Sequence, residues 1–91
     1  MHEDRKRKWE EWYGDMVNSY QWLEVDHGGR DVVYVYGSAV LNLDEGVFCS
    51  DFVQVLGYAD SQEEVGEAEQ SEIIQALRVR HRTENVHFWI G

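Results

Sequence analysis

From Asp31 to Ala59 the chain is written as two strictly alternating runs around a short polar break, and both alternating sets of side chains are apolar. Asp31 to Leu43 forms one run and Val47 to Ala59 the other. Asp44-Glu45-Gly46 reads as a three-residue hairpin loop, with glycine where a positive φ is needed. Pairing Leu43 with Val47 sets the register and sorts the side chains by face. One face collects Val33, Val35, Ala39, Leu41 and Leu43 opposite Val55, Val53, Asp51, Cys49 and Val47. The other collects Val32, Tyr34, Tyr36, Val40, Phe48, Phe52, Leu56 and Tyr58. The first face is aliphatic and the second aromatic, so each needs a cover that removes it from water.

One cover is written upstream. At 100° per residue, Trp9, Trp12, Tyr13, Met16, Tyr20 and Leu23 fall on one arc, which predicts an amphipathic helix over about residues 4–24. The other side carries Arg5, Lys6, Arg7, Lys8, Glu10, Glu11 and Asp15, a solvated face of mixed sign. Trp22 lies off the arc, either packed on a loop or exposed as a contact residue. His27-Gly28-Gly29 closes the helical region with a turn. A rod charged on its outer side covers only one face of the hairpin, so a twofold homodimer through the second apolar face is expected.

Residues 60–72 are acidic. Ser61 and Glu64 have capping-box spacing, which suggests a short helical start. Beyond it, Leu77, Val79 and His81 alternate with Arg78, Arg80 and Arg82, and a turn near Thr83-Glu84-Asn85 leads to Val86, Phe88 and Ile90. A second hairpin over 73–90 follows. The same residues also suit a helix at about 61–80, with Ile73, Ile74 and Leu77 inward. The expected fold is α+β: an amino-terminal helix on a four-stranded antiparallel meander, with a second helix replacing the third strand as the alternative. A chain of 91 residues is the size of one domain, here 1–91.

Charge restricts the function. The net charge is −10, and residues 60–72 hold Asp60, Glu63, Glu64, Glu67, Glu69 and Glu72 without a base. Such a surface repels phosphate backbones, so direct nucleic-acid binding is not expected. A basic protein partner is. If the segment is helical, Asp60, Glu63, Glu64 and Glu67 share one side and form a patch that steers a basic partner, in the manner of an inhibitor presenting carboxylates in place of phosphates. An arginine ladder at 78, 80 and 82 beside His87 and Trp89 suits phosphate and base stacking, but the neighbouring acids neutralise it.

Signs of catalysis are sparse. Gly28-Gly29 and Gly57 lack the spacing of a phosphate loop, and no nucleophile is written beside a base. Cys49, the single cysteine, reads as a buried inert thiol. His81 and His87 lack metal-site spacing, and Asp26, His27 and Asp31 suit a turn. No cofactor is implied. No run approaches a membrane span and the first residues lack a secretion-signal layout, so a cytoplasmic location is expected. The chain therefore reads as a non-enzymatic acidic interaction module, with Asp60, Glu63, Glu64, Glu67 and Trp22 as contact residues. The alternative is a small-ligand domain in which Tyr34, Tyr36, Phe52 and Tyr58 line an aromatic pocket between helix and sheet, with Asp51 as its only mid-strand carboxylate.

Overall fold

The computed structural model describes residues 2–39, 41–43, 46–48, 51–61 and 63–89. The elements in chain order are α1 (His2–Tyr13), β1 (Val17–His27), β2 (Arg30–Ala39), β3 (Leu41–Leu43), β4 (Gly46–Phe48), β5 (Asp51–Tyr58), α2 (Glu67–His81) and β6 (Val86–Phe88). Four strands form one sheet in the order β1-β2-β5-β6, while β3 and β4 pair as a separate hairpin. An amino-terminal helix packed on a four-stranded sheet is thus present, together with a second helix. The sheet is mixed, because β6 runs parallel to β5.

The first helix stops at Tyr13, little more than half its expected length. A β-carbon on Gly14 would collide with the Glu10 carbonyl, and that carbonyl accepts the Gly14 N–H at 2.9 Å. Beyond Gly14 the chain turns and alternates as a strand from Val17 to His27, with half-buried residues at Tyr20, Trp22, Leu23, Val25 and His27. Gly28 and Gly29 do not cap a helix. Both take positive φ, 61° and 83°, and join β1 to β2 as the two-residue turn favoured in hairpins. Arg5, Trp9 and Tyr13, one turn apart, form the inward line of α1. Trp9 is wholly buried, whereas Trp12 and Met16, expected inside, are exposed.

The expected pairing of residues 31 to 59 holds at one end only. Val32 faces Tyr58 and Val33 faces Gly57, but Tyr34 then faces Val55, so Leu56 is an extra residue on β5. This bulge exchanges the two sets of β5 side chains. Val53, Val55 and Tyr58 join Val32 and Tyr34 on one face, while Phe52 and Leu56 join Val33, Val35 and Ala39 on the other. The loop end is shifted as well. Leu43 pairs with Gly46 rather than Val47, while Val40, Asp44, Glu45 and Cys49 lie outside the described residues.

Gly57 carries the bulge with φ +129°, a conformation closed to most L residues. The Arg5 guanidinium lies 3.2 Å from where its β-carbon would stand. From there Arg5 donates to the carbonyls of Tyr58 at 2.7 Å and Ser61 at 2.6 Å.

Both faces are covered within the chain. On one, Trp9 packs on Val33, Val35, Phe52 and Leu56, and its indole N–H donates to the buried Gln54 Oε1 at 2.6 Å. On the other, Ile73 and Leu77 of α2 pack on Val32, Tyr34, Val53, Val55 and Tyr58. The apolar face that called for a homodimer is therefore already occupied, and that argument for self-association loses its premise. The second hairpin over 73–90 is likewise replaced by α2 and the short β6. Parallel strands need a long crossover, and α2 provides it. Helix α2 starts at Glu67, with Gly66 in place of a side-chain cap, and ends on Arg82 in a left-handed conformation. Ser61 does not cap it; its hydroxyl accepts the Glu63 N–H at 3.1 Å in a local turn. Thr83 Oγ1 and Asn85 Nδ2 then donate to the Asp51 carbonyl at 3.1 and 2.9 Å, and Val53 N–H donates to Asn85 O at 2.8 Å, seating β6 beside β5.

Leu77 and Val79 share a face in a strand but not in a helix. Leu77 is fully buried and Val79 is 80% exposed. Urea denaturation is therefore expected to show a loss of ~2–5 kcal/mol for Leu77→Ala and a change within about 0.5 kcal/mol for Val79→Ala.

Candidate functional site

Half of the acidic residues gather at one pole of the molecule. Residues 24–31 and 60–72 together hold nine acids, against Arg30 as the only lysine or arginine. Three contacts bring the two stretches together. Ala59 N–H donates to Asp31 O at 2.8 Å, His27 Nε2 lies 3.5 Å from Glu72, and Arg30 reaches across to Asp60 and Glu63. The hairpin tip of β1 and β2 thus sits against the approach to α2 and reaches Glu72 in its second turn.

Arg30 organises this pole. Its Nη2 and Nε donate to the two oxygens of Asp60 at 2.7 and 3.3 Å, its Nη1 donates to Glu63 at 3.3 Å, and its guanidinium lies 3.7 Å above the centre of the Tyr58 ring. A planar donor fork on an aromatic face is fixed on both sides. Hydrogen bonding to Arg30 holds the Asp60 carboxyl below its ordinary range. Of the four predicted patch residues, Asp60 and Glu63 are therefore tied to an internal cation, while Glu64 and Glu67 stand exposed. They do not share one helix face, because residues 61 and 63–66 are not helical. Glu67 and Glu69 occupy the first turn of α2, where the helix dipole favours them.

Trp22 does not stand out as a contact residue. It lies on the α1 side of the sheet, edge-on to Trp9 at 5.5 Å, with Lys6 Nζ 5.8 Å above its ring. Its buried Nε1 has no hydrogen-bond partner among the described residues. The aromatic pocket residues do not converge either. Phe52 belongs to the Trp9 cluster, while Tyr34 and Tyr58 are buried on the α2 side. An open cleft of ≈ 960 Å³ lies elsewhere, between α1 and residues 63–74. It has Arg5, Arg7 and Lys8 on one wall, Glu63 and Glu64 on the other, and Val55, Leu56 and Phe88 among its apolar lining. None of the four aromatic candidates lines it.

Sequence reasoning missed a second cluster, at the far end of α2. The Tyr34 hydroxyl lies 2.8 Å from His81 Nε2, the Tyr36 ring stacks on the imidazole at 4.2 Å, and the Tyr36 hydroxyl donates to Asp51 at 3.2 Å. Burial, then the charge of Arg80, lowers the His81 pKa, and burial raises that of Tyr34. The partners are far apart in sequence, and a helix rather than a strand at 67–81 brings His81 to Tyr34. Arg78, Arg80 and Arg82 lie at this same end, on and just after the last turn of α2 rather than on a strand ladder. Among the described residues no three His, Cys, Asp or Glu side chains converge on a metal-sized site, and no helix is long and apolar enough to cross a membrane. Comparison with family models, curated proteins and solved structures returned no match for this chain.

Two titrations check these contacts. Arg30→Gln is expected to return the Asp60 carboxyl to its ordinary range, read by NMR of the side-chain carboxyl carbon. His81 has its pKa lowered in the fold, so the unfolded chain takes up that proton first. The stability His81 contributes is present above its ordinary value of 6.5 and lost as pH falls below it. His81→Gln is expected to flatten that part of a stability–pH curve from urea melts.

Proposed function

We propose that this protein is a non-catalytic acidic interaction module that recognises a basic protein partner through the pole formed by the β1–β2 tip, residues 60, 61 and 63–66 and the start of α2. The observation that carries this reading is the concentration of carboxylates: nine in residues 24–31 and 60–72, with Arg30 as the only lysine or arginine of those stretches and Arg5 reaching in from α1 to the Ser61 carbonyl, while Arg78, Arg80 and Arg82 lie at the far end of α2. Fields of one sign on a small rigid body raise association rates and reject like-charged competitors. A partner whose site is built for phosphates would meet carboxylates there, which is the action of an inhibitor.

Rigid placement also supports the reading. Arg30 pins Asp60 and Glu63 to the hairpin tip, so the exposed Glu64 and Glu67 extend from an ordered base instead of a loose acidic tail. Ordering them costs little at the moment of binding.

The test is capture of basic proteins from a lysate at low and moderate salt, with the wild-type chain and a Glu64→Lys, Glu67→Lys variant. Those two positions are exposed, so the variant is expected to keep its circular dichroism spectrum. Its affinity for the captured partner is expected to fall by about tenfold at low salt, with a smaller difference as screening increases. Equal capture by both chains across the salt range would remove the acidic pole from recognition.

A further inference from the structure

The outer edge of β1 has no strand paired to it among the described residues, although β1 is the longest strand of the sheet at 11 residues. Exposed edges are ordinarily blunted by short length, proline, a bulge or charged side chains, above all lysine, and on β1 the charged residues are the acids Glu24 and Asp26 and, at its end, His27. β1 contains no proline and no lysine, and its single irregularity lies at Val17/Ser19, leaving Ser19 to His27 in regular register with β2.

The phase of this edge follows from the turn. A two-residue loop closes on a pair that exchanges both hydrogen bonds, so His27 and Arg30 form such a pair and Asp26 and Asp31 do not. The Asp31 carbonyl confirms the alternation, because it points away from β1 and accepts from Ala59 on the β5 side. Tyr20, Trp22, Glu24 and Asp26 therefore turn their N–H and C=O groups outward. Their side chains lie on the α1 face, with Tyr20 and Trp22 under α1 and the carboxylates of Glu24 and Asp26 exposed.

We propose that β1 is a docking strand, on which an extended segment of a basic partner protein adds antiparallel to the sheet with lysine or arginine opposite Glu24 and Asp26. This rests on the acidic-module reading and gives the partner its form. Backbone pairing supplies affinity, and alternate side chains supply selection. Opposite Trp22 and Tyr20 the incoming strand carries apolar residues, so its α1 face reads basic, basic, apolar, apolar. Charge decides the occupant: a second copy would bring another −10 to the same edge.

The probe is the blocked peptide Lys-Thr-Lys-Val-Val-Thr-Val. The expected result is binding at low salt with slowed hydrogen exchange at the amides of Tyr20, Trp22, Glu24 and Asp26. N-methylation on the lysine-bearing face is expected to abolish binding and methylation at the alternate residues to be tolerated. Glu24→Gln with Asp26→Asn is expected to weaken it by about tenfold, with an unchanged circular dichroism spectrum. Binding without protection of those four amides overturns strand docking and leaves the acidic pole standing. Failure of the peptide to bind overturns docking, and the lysate capture decides separately on the pole. Sedimentation as a dimer with those amides protected in the absence of peptide assigns the edge to a second copy and also overturns it.

Discussion

The β2–β5 ladder is apolar on both faces, and the rest of the molecule is arranged around that fact. A strand pair of this kind is unstable in water until both faces are covered, and a chain of 91 residues has little material to do it. It uses two short helices from opposite ends of the sequence, each presenting a narrow inward line: Arg5, Trp9 and Tyr13 on α1, and Ile73 and Leu77 on α2. Because each line is narrow, the remaining helical surface is free to be charged. The high charge and the small two-sided core are thus compatible.

Which residues each helix meets is decided by one extra residue. The bulge at Leu56 and Gly57 puts Phe52, Gln54 and Leu56 on the α1 side, where Gln54 accepts the Trp9 indole N–H inside the core. Without it, Gln54 would point toward Ile73 and Leu77 and lose the Trp9 donor, and a buried amide left unpaired is costly. Arg5 seats on the bulge and ties α1 to β5 and to residue 61. The same residue thus positions the start of the acidic segment, which links packing in the core to the placement of the surface charges.

Much of this was legible in the residues, and the failures have physical causes. The alternation over 31–59 located the central pair of strands because period two in apolar residues has few other solutions. The register was misread because the bulge is signalled only by Gly57, a lone glycine in a strand, which reads equally as a weak position. Residues 17–27 satisfy helical spacing and alternation together, and Gly28-Gly29 suits the end of either element. Tertiary pairing with β2 decided between them. At 77–82 the alternation of apolar and arginine residues is an accident of a helix whose inward line is only one residue wide per turn. The acidic block was found by composition alone. The role of Arg30 was not, since Asp60 and Glu63 lie some thirty positions away and nothing local marks the pairing.

Arg30 also bears on how so acidic a pole persists in a folded chain. Like charges at this density repel, and the cost is reduced by the bidentate Arg30 at the centre, by Arg5, Arg7 and Lys8 across the cleft from Glu63 and Glu64, by the amino-terminal dipole of α2 beneath Glu67 and Glu69, and by solvent around the rest. Glu24 and Asp26 lie on β1, beyond the side chains that Arg30 engages, and the backbone between them faces outward by the phase of the hairpin turn. An extended segment that brings positive charge together with unpaired amides meets the exposed Asp26 and the open backbone edge in one place, whereas a globular basic surface meets only the first. The physical chemistry of this edge therefore favours an extended cationic segment over a folded basic face.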